Sequence, residues 1–260
     1  MIGTADHSDT FAAASGDDIV VGNDPVDLGT ATSMTMFGNL IWFGPLLAFV
    51  AVGYTVVVVC VSIWGEIDTS LWVSIAAGWQ RWPIGVCGFL MIATFARMFV
   101  VNGVTRRRLG DAATVSLVLF SLLSGVYITV GFVIERFVYD ANDWPHMNDE
   151  RNLTYGAIGY GTVLLTYTAA AAAHFVSGWL LGVLFNRDGD IVVAVLCIPL
   201  ALVPAAVCEL LLTVVSGGGQ IEALGDLMSM SLWISTPITL AVIVGAVFVA
   251  RRITLDVVVK

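Results

Sequence analysis

Charge is what this chain has least of. Only 12% of its 260 residues are Asp, Glu, Lys or Arg, against 58% hydrophobic residues, and the mean hydropathy is +0.92. A soluble globular domain carries about a quarter charged residues, so an ordinary soluble fold is excluded and the class is integral membrane. Positive charge is scarcer still: eleven Lys and Arg face twenty Asp and Glu, for a net charge of -9. With that balance no nucleic-acid partner is expected. The four cysteines, Cys60, Cys87, Cys197 and Cys208, all fall inside apolar runs. They form no CxxC and have no histidine at metal spacing, which reads as small core residues rather than disulfides or metal ligands.

Catalytic motifs are missing as well. Val176-Ser177-Gly178 lacks the preceding glycine that a rhomboid-like GxSG serine protease needs, and no HExxH occurs. There is no Walker glycine loop, so the chain does not hydrolyse ATP in the P-loop manner. It reads as a protein without enzymatic activity, binding neither cofactor nor metal itself. No cleavable signal peptide is visible, because residues 1–36 hold six Asp and no Lys or Arg, with no basic n-region. Such a segment cannot bury enough apolar surface to order itself, and reads as a flexible acidic tail.

What is present is a set of long apolar runs broken by short polar segments. Runs of this length cross a bilayer as helices, because barrel strands are about 10 residues long and alternate in polarity. Six spans are expected, over residues 40–64, 83–101, 112–138, 153–185, 191–215 and 230–250, within a transmembrane domain of residues 37–252. The first has Trp42 and Trp64 near its ends, where indoles favour the headgroup region. Residues 71–82, with Trp72, Trp79, Gln80, Arg81 and Trp82, are too polar for a hydrocarbon core and read as a short interfacial helix. Pro83 then suits the first turn of the second span. The fourth span opens with Gly156, Gly159 and Gly161 and continues with the alanines of 169–173, small residues that place it at the centre of a bundle or at a dimer seam. Pro199 and Pro204 are expected to bend the fifth. Residues 216–229, with three consecutive glycines, read as a loop or partly re-entrant segment, and residues 253–260 as a short tail.

Six spans put both termini on one side, and the basic residues choose it. With both termini in the cytoplasm, Arg97, Arg106, Arg107, Arg108, Arg187, Arg251, Arg252 and Lys260 lie at or inside the inner boundary, and only Arg81, Arg136 and Arg151 lie outside. That follows the positive-inside rule, to which Asp and Glu contribute little.

Four polar residues in or beside the spans are candidates for chemistry. Glu209 is the only carboxylate well inside an apolar run. A charge near the bilayer centre costs on the order of 3 kcal/mol or more. Glu209 either handles substrate or protons, or is paired within the bundle or towards Arg136. Glu135 and Arg136 close the third span and read as an interfacial charge pair. His174 has no second histidine or acid at i±3 or i±4, and reads as a buried, hydrogen-bonded histidine rather than a metal ligand.

The densest basic stretch is Gly103-Val104-Thr105-Arg106-Arg107-Arg108-Leu109, with three of the eleven Lys and Arg. Charge alone would make it a topology signal. Its layout adds a helix start, an exposed basic face and one apolar residue, Leu109, to bury in a partner. The third span follows at once, so a push here reaches two helices.

This stretch resembles the G-V-[ST]-R-R-x-[FL] signature of permease subunits of type-2 ABC exporters, in particular a short actinobacterial-like form. The likeness extends over residues 38–252 through the six-span plan and through Gly182-Val183-Leu184-Phe185-Asn186-Arg187-Asp188-Gly189, similar to the turn between spans four and five in that group. The resemblance implies an assembly in the bacterial cytoplasmic membrane of two ATPase subunits and two permeases, the second a copy or a paralogue. ATP and Mg would bind in the ATPase, and a coupling helix at residues 101–111 would transmit its closure. The expected cargo is hydrophobic or amphipathic. One feature departs from the pattern: the family's basic amphipathic helix before the first span is replaced by the short, uncharged residues 30–38. Two alternative readings are a secondary carrier or channel with Glu209 and His174 in its pathway, and a non-transporting scaffold or immunity protein.

Overall fold

The computed structural model describes residues 28–64, 70–72, 80–101, 104–144, 159–186, 191–216 and 232–256. Within them the regular structure is entirely helical: α1 (Leu28–Trp64), α2 (Arg81–Ala93), α3 (Phe95–Val101), α4 (Arg106–Ala141), α5 (Gly159–Asn186), α6 (Ile191–Ser216) and α7 (Leu232–Asp256). Four stretches, Thr32–Trp64, Arg106–Ala141, Gly159–Asn186 and Ile234–Leu255, are long and apolar enough to cross a membrane, and Arg81–Ala93 and Val195–Leu211 are shorter apolar helices. The chain is therefore a helical, multi-pass membrane protein. Residues 1–27, 65–69, 73–79, Gly103, Arg151, Gly156, Arg187, all but Ser216 of the expected loop or partly re-entrant segment at 216–229, and residues 257–260 lie outside the described residues, whereas residues 253–256 of the expected tail continue α7.

Helix ends differ from the spans expected from hydropathy, because apolarity marks the hydrocarbon whereas a helix continues as long as its own backbone bonds do. α1 has 37 residues, about 55 Å at 1.5 Å per residue, against a hydrocarbon core of about 30 Å. It starts at Leu28, so residues 28–36, expected in the acidic tail, are its first turns, and Trp42 lies well inside it. The second span is two helices, broken at Thr94. The carbonyl of Ile92, in the last turn of α2, accepts from the Asn186 side chain at 2.7 Å. α2 also begins at Arg81 rather than Pro83, so Arg81 and Trp82 belong to a bundle helix and not to an interfacial one.

α5 is the centre of the bundle and packs against α2, α4, α6 and α7. Its buried residues run almost without a gap from Ala169 to Leu180, as its alanines imply. The closest approach, however, does not come from the glycines at its start: Gly159 and Gly161 face open space. It comes from Gly88 of α2 and Gly178 of α5. A methyl group on Gly178 would overlap the carbonyl of Gly85, and one on Gly88 would overlap that of Phe175. Without side chains at these points the two backbones touch, which is how small residues hold helices together where lipid supplies no hydrophobic drive. Outward, α1, α4 and α7 present large apolar side chains such as Phe49, Val52, Leu122, Phe137, Val244 and Phe248, the surface that acyl chains cover.

α6 runs through both Pro199 and Pro204. Proline disturbs the backbone bonds of its turn, and α5 supplies a replacement, since Ser177 Oγ accepts the Ala205 N–H at 3.1 Å. Neighbouring hydroxyls satisfy freed backbone groups in this way inside membranes. Ser177 thus has a structural task in place of the nucleophilic one that its surroundings in the sequence already argued against.

The glycine contact carries a test. Gly178→Ala is expected to cost about 1–3 kcal/mol through overpacking, seen as a lowered midpoint of thermal unfolding in detergent. Gly161→Ala, in open space, is expected to leave the midpoint unchanged or slightly raised.

Candidate functional site

Polar chemistry gathers at three levels of the bundle. The first is the start of α4. Thr105 is its N-cap, with extended backbone, and its Oγ1 accepts the Arg108 N–H at 3.4 Å. The helix that follows opens on Arg106, Arg107 and Arg108, with no acid in its first turn. Three cations at a helix N-terminus oppose the macrodipole at about 0.3–1 kcal/mol each, so local helix energetics do not explain them.

A tertiary contact accounts for the first of them. Arg106 Nη1 lies 3.5 Å from the Leu255 carbonyl, one of the last four carbonyls of α7, which have no partner inside that helix. Arg106 thus stands against its own helix dipole but with that of α7. The neighbouring contacts bind the two ends further. Arg251 pairs with Asp111, and its second guanidinium nitrogen reaches Thr114 Oγ1 at 3.3 Å. Arg107 is exposed, and Arg106 and Arg108 are partly buried.

Two expectations about this stretch need correcting. Residues 106–111 are not a separate coupling helix but the first turns of α4 itself, since α3 ends at Val101 and the Thr105 cap starts a helix that does not break before Ala141. Leu109 is also not free for a partner. It is 3% exposed and, like Val104, belongs to this chain's own core.

The second level lies between α2, α5 and α6. Arg81 and Glu209 form an ion pair, and Glu209 Oε1 is 3.5 Å from His174 Nε2. The other histidine nitrogen, Nδ1, meets the Ala170 carbonyl at 2.9 Å, and the Trp82 ring stands edge-on to the imidazole at 6.1 Å. Glu209 therefore has a charge partner, as its cost in lipid requires, but the partner is Arg81 and not Arg136. Arg81 was missed because hydropathy put it on the membrane surface, 128 positions away in sequence. His174 is buried and hydrogen-bonded as expected. Among the described residues no three His, Cys, Asp or Glu side chains come together as a metal set.

The third level is at the far end of α4. Glu135 and Arg136 are not a pair, because adjacent helix positions point to different sides. Arg136 faces outward and reaches Asp140 at 3.8 Å, both half-exposed, an arrangement worth little. Glu135 points inward and is 0% exposed. It accepts from Ser70 Oγ at 2.5 Å, from the Trp72 N–H at 2.8 Å and from Tyr54 Oη at 3.3 Å. Trp72 Nε1 donates to the Ile128 carbonyl at 3.0 Å, in space that Gly131 leaves open, and Tyr139 Oη accepts the Leu71 N–H at 3.3 Å. The segment 70–72 before α2 is thereby drawn into the bundle. Trp72, expected on the membrane surface, is 3% exposed.

The middle cluster permits a direct experiment. Removing one partner of a fully buried ion pair costs about 3–5 kcal/mol, whereas replacing both with apolar residues is often neutral; the part-buried Arg81–Glu209 pair belongs at the low end of that scale. Glu209→Ala is expected to destabilise the protein on that scale, and Arg81→Met with Glu209→Met to recover most of the loss in thermal unfolding. A stable Glu209→Ala would instead remove the pair from the structural account.

Compared with protein-family models, with curated proteins and with solved structures, the chain matches none of them.

Proposed function

We propose that this chain is the permease subunit of an ATP-binding cassette exporter in the bacterial cytoplasmic membrane, driven by a separate ATPase. The observation that carries the proposal is the arginine-opened start of α4. Its cations oppose their own helix dipole, Arg107 is exposed, and it continues without a break into a 36-residue helix. Force applied at such an end travels along the whole helix and, through its packing, into α1, α5 and α7. The likeness of Gly103-Val104-Thr105-Arg106-Arg107-Arg108-Leu109 to the exporter signature supports the same reading.

In this reading α2 and α3 together make one crossing and the chain crosses six times, with both termini and the start of α4 in the cytoplasm. Two such chains, or this chain and a paralogue, assemble with two ATPase subunits, in which ATP and Mg bind. The cargo is hydrophobic or amphipathic. The coupling element is the first turn of α4, with Arg107 as its contact residue, and not a free-standing helix. A carrier working through Glu209 is less well supported, because Arg81 balances that charge inside the bundle.

Charge reversal tests the proposal. Arg107→Glu is expected to leave insertion and thermal stability unchanged, since the side chain is exposed, and to reduce ATP-driven transport in proteoliposomes at least tenfold. Transport at the unaltered rate would overturn it.

A further inference from the structure

The start of α4 does not stand alone at its end of the bundle. The last turn of α7 lies against it, held by Arg106 to the Leu255 carbonyl and Arg251 to Asp111, and is held to α5 by Thr254 Oγ1 accepting from Trp179 Nε1 at 3.0 Å. Thr254 is itself buried and donates to the Ala250 carbonyl at 2.7 Å, so this turn is fixed to both α4 and α5.

What the turn presents outward is different. Arg252 is exposed, and so is Leu255, at 42%. Three residues apart on a helix, they are neighbours on one side, and Arg106 reaches the backbone of that same Leu255. Arg106, Arg252 and the exposed Leu255 therefore lie at one end of the bundle, with Arg107 next to Arg106 in the first turn of α4. Leu109, the apolar residue that sequence offers to a partner, is buried; Leu255 occupies that role from another helix.

We infer that the last turn of α7, through Arg252 and Leu255, is the second half of the surface that docks the ATPase, and that it receives an acidic groove with an apolar floor. This rests on the reading of the α4 start as the coupling element. Charge complementarity gives the sign: Arg106, Arg107, Arg108, Arg251 and Arg252 belong to the two helix ends that meet here, against Asp111 and, next to Leu255 in sequence, Asp256, a basic excess in a protein whose net charge is -9. Pre-organisation favours a protein over a lipid surface. Anionic headgroups require positive charge but no fixed spacing, whereas a rigid protein groove gains when the two halves of its target are already held in register.

The inference also gives the Arg251–Asp111 pair a mechanical task. Because it ties α7 to α4, closure of the docked subunit moves both helices together, and α5, packed against each, moves with them.

The test uses the full chain purified with its ATPase subunit, comparing the unaltered protein with Arg107→Glu, Arg252→Glu, Arg252→Lys and Leu255→Asp. The expected result is at least a tenfold loss of retained ATPase in Arg252→Glu and in Leu255→Asp, with Arg252→Lys close to unaltered and all forms eluting as a single folded species. Full retention in Arg252→Glu alongside loss in Arg107→Glu would overturn the α7 contact and leave the α4 reading standing. Full retention in both, or no ATPase retained by the unaltered chain, would overturn the two together. Vesicles of phosphatidylcholine with increasing phosphatidylglycerol supply the remaining arm: if Arg252→Glu changes only the dependence on phosphatidylglycerol, the surface contacts lipid and the inference fails.

Discussion

The contact on which the rest of the structure depends is the backbone-to-backbone meeting of α2 and α5 at Gly88 and Gly178. Lipid is as apolar as leucine, so helices in a bilayer are held by close packing and hydrogen bonds rather than by escape from solvent. Once α2 and α5 touch, Arg81 at the start of α2 lies beside His174 of α5, and Glu209 of α6 completes the cluster. The same contact brings Asn186, at the end of α5, to the Ile92 carbonyl where α2 gives way to α3. The charge cluster and the Asn186 contact at the broken second span both lie along the interface that this close approach sets.

Around that centre, polar side chains repair what the helices leave open. Ser177 takes a backbone N–H next to Pro204, Arg106 takes a terminal carbonyl of α7, and Glu135 gathers donors from Tyr54, Ser70 and Trp72. An unpaired polar group in hydrocarbon costs several kcal/mol, so each repair also fixes a position. The bundle has a tied end, where α4 and α7 meet, and a plugged end, where residues 70–72 enter it. The exposed Arg107 and Arg252 lie at the tied end.

Much of this architecture was legible in the sequence. Apolar runs marked every long helix, because a bilayer demands about 20 apolar residues per crossing. The alanines of 169–173 marked a helix at a bundle centre or a dimer seam, since only small side chains let neighbours come so close, and packing with four helices decided for the centre. The run Gly103-Val104-Thr105 ahead of the arginines marked a helix start. Glu209 and His174 were marked as residues needing partners, because charge in lipid always does.

The composition and hydropathy of the chain by themselves determined its class, the places of its long helices and which polar residues had to be satisfied, since each is a cost of a residue against lipid and needs no knowledge of the fold. Only the tertiary structure decided who satisfies them. That Glu209 meets Arg81, that Glu135 turns away from Arg136 towards Trp72, and that Leu109 is buried while Leu255 is exposed all depend on which helix faces lie together. Those faces are set by packing between residues up to 149 positions apart, as with Arg106 and Leu255, and no local pattern in the sequence records such a distance.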